Sequence, residues 1–167
     1  MTRWLTDEEQ RAWRQLAAVF MQLPSALESQ LQRDSGLTHF AYWVLAMLSE
    51  APNRALRMSE LAALAHGSQS RLSHLVSRLE ERGWVRRERA DDDGRGQVAV
   101  LTDAGYDVVV AAAPGHVEEV RRRVFDALTP EQVQALHDIC AAIAARLAPD
   151  AQEGVLPGQK SAGGRPS

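Results

Sequence analysis

Residues 58–101, MSELAALAHGSQSRLSHLVSRLEERGWVRRERADDDGRGQVAVL, constrain the chain more than any other stretch. Two short helical periods meet at a Gly-containing turn, and two strand-like runs follow around a polar, Gly-containing tip. In the second helical period Leu72, Leu75, Val76 and Leu79 fall on one face. The other face carries Ser68, Gln69, Ser70, Arg71, Ser73, His74, Ser77 and Arg78. Small polar residues are poor fillers of a merely solvated helix, so this face is expected to make contacts. Helix, turn, helix and hairpin, in that order, present one helix to the major groove of duplex DNA.

The flanks read as helices with clear start signals. Thr6-Asp7-Glu8-Glu9 is a capping box. Behind it Trp13, Leu16, Ala17, Phe20, Leu27 and Leu31 recur at helical spacing, predicting a helix to about Arg33 with a kink or break at Pro24. Thr38 caps a second helix to about Glu50, with Ala41, Val44, Leu45 and Leu48 inward. After a short extended entry at residues 56–58, Ser59 is expected to cap a third helix to about His66. Ser68 caps the fourth, which stops at Gly83.

Residues 84–88 and 97–101 read as two strands joined by a loop over residues 90–96. Thr102 caps a fifth helix to about Leu128, kinked or broken at Pro114-Gly115. Thr129-Pro130-Glu131-Gln132 is a strong start for a sixth. The Gly- and Pro-rich residues 149–167 lack periodicity and read as a flexible tail. The expected fold is mostly α with a small β-wing. An N-terminal helix spans 1–36, a winged helix-turn-helix region 37–101, C-terminal helices 102–148, and the tail 149–167.

Bulk charge says little about partners, because the chain carries a net −3. Its distribution says more. Residues 66–89 hold six Arg against three Glu, a net +3, which leaves −6 for the remainder. A basic segment on an acidic body suits a polyanionic partner. Cys140 is the lone cysteine, which excludes an intrachain disulfide and fits a cytoplasmic location; its ordinary role is a small buried apolar side chain. The N-terminus has no apolar signal-peptide core and no run approaches membrane-spanning length.

The chemistry of the reading helix follows from its side chains. Arg71 can bond a guanine through both arms of its guanidinium, Gln69 and His74 are further base-edge candidates, and the serines suit phosphate contacts. Arg95, at the hairpin tip, suits a narrow minor groove. Arg86, Arg87 and Arg89 suit the phosphate backbone. Asp91, Asp92 and Asp93 beside Arg95 either hold that arginine or serve as a solubilising tip.

The segments Met58–Ala62, Ser70–Gly83, Asp93-Gly94-Arg95 and Leu101–Gly105, in this order and spacing, resemble the MarR family of bacterial transcription regulators. The resemblance covers residues 4–148. One departure stands out: the family's wing often reads Asp-x-Arg-Asp, and Gly96 occupies the place of the second Asp. The resemblance implies a homodimer, with 1–36 and 102–148 as its dimerisation region, that binds a palindromic operator as a regulator, expected to be a repressor. It also implies a small anionic or aromatic effector between the dimerisation helices and the reading domain.

Trp13, Phe20, His39, Tyr42, Trp43 and Met47 are the candidate effector-pocket residues, although aromatic residues at helical spacing also serve as plain core. The first, fifth and sixth helices carry more apolar surface than a winged-helix core can cover. The interface candidates are therefore Trp4, Leu5, Leu128, Val133, Leu136, Ile139, Cys140, Ile143 and Leu147.

No cofactor is expected. The five histidines form no metal-spacing cluster with the cysteine. An enzyme is disfavoured, since the chain has no Gly-rich phosphate loop, GxSxG or HExxH motif. The alternative function is a winged-helix protein-interaction module without DNA readout.

Overall fold

A computed structural model of the chain describes residues 1–90 and 96–147. Six helices and three strands follow in the order α1 (Asp7–Ser35), α2 (His39–Glu50), β1 (Ala55–Arg57), α3 (Met58–Leu64), α4 (Gln69–Glu81), β2 (Val85–Arg89), β3 (Gln97–Leu101), α5 (Asp103–Arg123) and α6 (Pro130–Leu147). Two short 3-10 turns lie at Pro52–Arg54 and Phe125–Ala127. The fold is mostly α with a small antiparallel wing, as the sequence predicts.

Side-chain caps fix most of the helix starts. The Thr6 hydroxyl accepts from the Glu9 amide at 3.2 Å, and the Glu9 carboxylate accepts from the Thr6 amide at 2.8 Å. Thr38, Ser68 and Thr102 each accept from the third residue beyond them. Thr129 and Gln132 form the box that opens α6. The third helix departs from expectation. It begins at Met58, so Ser59 lies inside its first turn, and Glu60 reaches back to accept from the Arg57 amide at 3.2 Å. It also ends earlier, at Leu64, before the positive φ of 49° at His66.

Neither proline ends its helix. Pro24 lies within α1 and Pro114 within α5. Pro24 and Phe20, one turn before it, are exposed, so water can serve the carbonyl that lacks its helical donor. The fifth helix stops at Arg123, not near Leu128, because Val124 leaves helical geometry at φ −123° and a single 3-10 turn follows.

The sheet order is β1-β3-β2, with Ala55 opposite Val100 and Val85 opposite Leu101. The second strand starts at Val85 rather than Trp84. Gly83 takes a left-handed φ of 73°, and the Trp84 amide donates back to the Leu79 carbonyl at 3.0 Å, closing α4. Leu31, Leu37, Val44, Leu45, Leu48, Leu61, Leu72 and Val76 are the largest fully buried side chains. They gather α1, α2, α3 and α4 around one core, which the inner residues of β2 and β3 complete. Gly105 lets α5 start hard against the wing, since a Cβ there would lie 2.1 Å from the Trp84 carbonyl oxygen.

Candidate nucleic-acid interface

The fourth helix is anchored by its apolar back. Leu72, Leu75, Val76 and Leu79 are buried, while Gln69, Ser70, Arg71, Ser73, His74 and Arg78 are exposed on the opposite side and Ser77 is half-buried. The start of the helix is fixed by the Ser68 hydroxyl, which accepts from the Arg71 amide at 3.2 Å. That bond uses Ser68 as a cap. The row from Gln69 to Arg78 is therefore held rigidly by core packing and is open to a groove-sized partner.

The arginines divide by what surrounds them. Arg71 lies over the Phe40 ring, with its guanidinium carbon 4.1 Å from the ring centre. Arg86 donates to Glu88 at 2.6 Å on the exposed side of the wing. Arg89, also exposed, ends β2. Arg87 differs. Its guanidinium donates to the Ser73 carbonyl at 2.7 Å and to the Ser77 hydroxyl at 3.0 Å, and it pairs with the Glu80 carboxylate at 3.3 Å. The sequence expectation of a phosphate clamp does not fit a side chain turned inward onto α4. Arg95 and the neighbouring Asp91, Asp92 and Asp93 lie outside the described residues, as does the tail from residue 149.

One further basic residue escaped sequence reasoning. Arg57, at the end of β1, lines a cleft of about 310 Å³ with Met58, Ser59, Gln69, Ser73, Gly96 and Gln97. The cleft joins the start of α3, the start of α4 and the base of the wing. The pairing of Arg57 with Val98 places it there, and strand pairing is not written in a helical period.

A larger groove of about 670 Å³ lies behind α4. It is lined by Pro24 and Glu28 of α1, by Thr38, His39, Phe40 and Trp43 around the start of α2, and by Ala65, Arg71 and Arg78. Of the sequence-predicted pocket residues, His39 and Trp43 line it. Tyr42 and Met47 are buried in the core, and Trp13 and Phe20 sit exposed on α1 without lining the groove.

The His39 amide donates to the Glu28 carboxylate at 2.7 Å. Burial lowers the His39 pKa below the ordinary imidazole range, and nearby Glu28 partly opposes it. His116 lies between Tyr42 and His39, with ring centres 4.5 and 5.7 Å away. Its pKa is lowered too, by burial first and then by His39. Among the described residues, no three His, Cys, Asp or Glu side chains gather as a metal site.

Comparisons with known proteins fit this geometry. Residues 35–96 match the MarR family profile. HosA, a transcriptional regulator from Escherichia coli O127:H6, is 30% identical over 104 residues, covering 62% of this chain and 73% of HosA. Sco3205, a MarR family transcriptional regulator from Streptomyces coelicolor solved in complex with DNA, is 50% identical with a TM-score of 0.86, covering 94% of this chain and 97% of Sco3205. This chain belongs to the MarR family. CouR from Rhodococcus jostii, solved bound to p-coumaroyl-CoA, is similar at 26% identity and a TM-score of 0.69, covering 77% of this chain and 88% of CouR.

In this MarR family chain, the apolar residues outside the core are concentrated at its two ends. No residue of α6 is buried. Ile139 is 56% exposed and Leu147 77%, while Leu128, Val133 and Leu136 are partly covered. Cys140 is exposed, against the expectation of a buried side chain. Trp4 and Leu5 are exposed before α1, and Trp13, Phe20 and Met21 are exposed along it. No helix among the described residues is long and apolar enough to cross a membrane.

Proposed function

We propose that this chain is a sequence-specific DNA-binding transcription regulator, a repressor, acting as a homodimer on a palindromic operator. The observation that carries the reading is the exposed row Gln69, Ser70, Arg71, Ser73, His74 and Arg78 on a core-anchored helix. Its support is the 50% identity to Sco3205, a regulator crystallised with DNA. In this reading Gln69, Arg71 and His74 face base edges, Ser70 and Arg78 with the wing arginines Arg86 and Arg95 face the backbone and minor groove, and Ser68 and Ser77 support the helix.

The division of labour follows the chain. Residues 1–36 and 102–148 dimerise, 37–101 read DNA, and 149–167 form a tail. Trp4, Leu5, Leu128, Val133, Leu136, Ile139, Cys140, Ile143 and Leu147 pack against a second copy. A two-fold dimer sets its reading helices about one DNA turn (~34 Å) apart. The groove behind α4 takes a small aromatic or anionic effector. His39, Phe40 and Trp43 offer rings, and Arg71 and Arg78 offer positive charge. CouR, bound to an aromatic acyl thioester, supports an effector of this class.

Titration of the purified chain onto DNA from upstream of its own gene, at several salt concentrations, tests the reading. Affinity is expected to fall steeply with salt and to concentrate on a palindrome. Salt-insensitive binding, or binding with no sequence preference, would overturn it in favour of a protein-interaction module.

A further inference from the structure

The wing's free edge and the reading helix are joined by one residue. Among the described residues the sheet order β1-β3-β2 gives β2 one strand partner, and its outer edge meets α4 through Arg87. The Arg87 amide on that edge donates to the Glu80 carboxylate at 2.9 Å. The same carboxylate pairs with the Arg87 guanidinium at 3.3 Å, so one acidic group holds both the backbone and the side chain. The guanidinium then runs back along α4 to the Ser77 hydroxyl at 3.0 Å and the Ser73 carbonyl at 2.7 Å. From Ser73 to Glu80 is two helical turns. The Arg87 side chain is only 20% exposed.

We propose that Arg87 is a positioning residue that clasps the wing to the reading helix and sets their mutual spacing, rather than a contact to DNA. The inference rests on the DNA-regulator reading. Two elements that enter neighbouring grooves must keep a fixed offset, and a chain of bonds spanning two turns of α4 supplies one. An arginine fork spreads five donors across the span from the carboxylate to the hydroxyl and the carbonyl, whereas a lysine ammonium gathers its three at one point. With its charge matched by Glu80, Arg87 releases no counterions from DNA.

The test uses Glu80→Ala and Arg87→Lys, each first shown to retain the wild-type fold by circular dichroism and thermal melting. Binding to upstream DNA is then measured across salt concentrations with hydroxyl-radical footprinting, alongside exchange of the Arg87 amide. Both variants are expected to bind roughly tenfold more weakly, the loss of a charge-assisted hydrogen bond. Their salt slope should match wild type, and footprint protection should fade at the flanks while the centre is kept. The Arg87 amide should exchange faster in Glu80→Ala.

Several results would overturn the clasp. Tighter binding by Glu80→Ala is what removing a negative charge near a polyanion gives by electrostatics alone. Unchanged binding by Arg87→Lys would make the residue a simple charge. A salt slope lower by about one in Arg87→Gln, which removes the charge that Arg87→Lys keeps, would indicate phosphate neutralisation rather than positioning. If the wild-type chain itself fails to bind DNA, the regulator reading falls. The clasp is then decided by amide exchange alone, where an unchanged rate in Glu80→Ala breaks it.

Discussion

Leu72 on α4 and Ile139 on α6 are both branched apolar residues on amphipathic helices, yet Leu72 is wholly buried and Ile139 is 56% exposed. Around Leu72, three helices and the sheet close on one another, and nearly every inward position finds an apolar neighbour. Around Ile139 nothing closes, and no α6 residue is buried within the chain. The reading region thus closes its own core, whereas the two ends leave Trp4, Leu5, Ile139 and Leu147 exposed. A face that looks like core in the sequence is core only if the same chain returns to cover it.

The sharpest way to break this contrast is to charge the exposed face. Ile139→Asp combined with Ile143→Asp should convert a dimer to a folded monomer in sedimentation at micromolar concentration. Operator affinity should drop by roughly 100-fold or more as the second reading helix is lost. If the doubly charged chain unfolds instead, those residues belong to an internal core and the contrast is wrong. On the closed side, Leu72→Ala should destabilise the chain by about 2–5 kcal/mol in urea unfolding, because the surrounding core cannot collapse onto the gap. A loss well under 1 kcal/mol would mean that the region is loosely packed.

Arg71→Ala separates packing from reading. It should lower specific affinity by about 1–3 kcal/mol and relax preference at one base position. Equal loss on every sequence would make Arg71 a phosphate contact. Thr129→Ala removes the hydroxyl that opens α6 and should cost about 1 kcal/mol of helix stability, readable in thermal melts. The effect should be greater in the Asp-substituted monomer, where α6 lacks partner packing.

The smallest effect is a pH dependence from His39 and His116. Burial keeps both imidazoles neutral in the folded chain, so their folded pKa values lie below the unfolded one of about 6.5. Their contribution to stability is present above that pH and is lost as pH falls through it toward the folded values, because the unfolded chain takes up protons more readily. His116→Gln should flatten the acid side of a stability-against-pH curve. An unchanged slope would remove His116 from that account.

Much of this was legible in the residues. Thr6, Thr38, Ser68, Thr102 and Thr129 all cap as their positions suggest, because a cap is a local event over three residues. The buried face of α4 was legible for the same reason. Where the start signal came from behind, with Glu60 reaching back to Arg57, the first available serine misled by two residues.

The larger differences are non-local. Arg87 looks like any wing arginine until β2 is laid beside α4, which brings it to side chains 7, 10 and 14 residues away. The groove behind α4 was legible only at His39 and Trp43. Helical periodicity sets Ala41, Val44, Leu45 and Leu48 inward and leaves Tyr42 and Met47 as pocket candidates, but it does not say how wide a face of α2 the core covers.

One consequence of Gly105 is mechanical. The missing side chain lets the first turn of α5 press on the Trp84 carbonyl, while the Thr102 hydroxyl donates to Gly83 at 2.7 Å and accepts from Gly105 at 3.1 Å. The base of the hairpin and the root of α5 are thereby riveted together. From that rivet the 21 residues of α5 run as a rod about 30 Å long. A tilt of about 10° at the root sweeps the far end of such a rod through about 5 Å, roughly one helical pitch. The pivot of this lever sits under the wing, so a small tilt there is geared to a large displacement at the far end of α5.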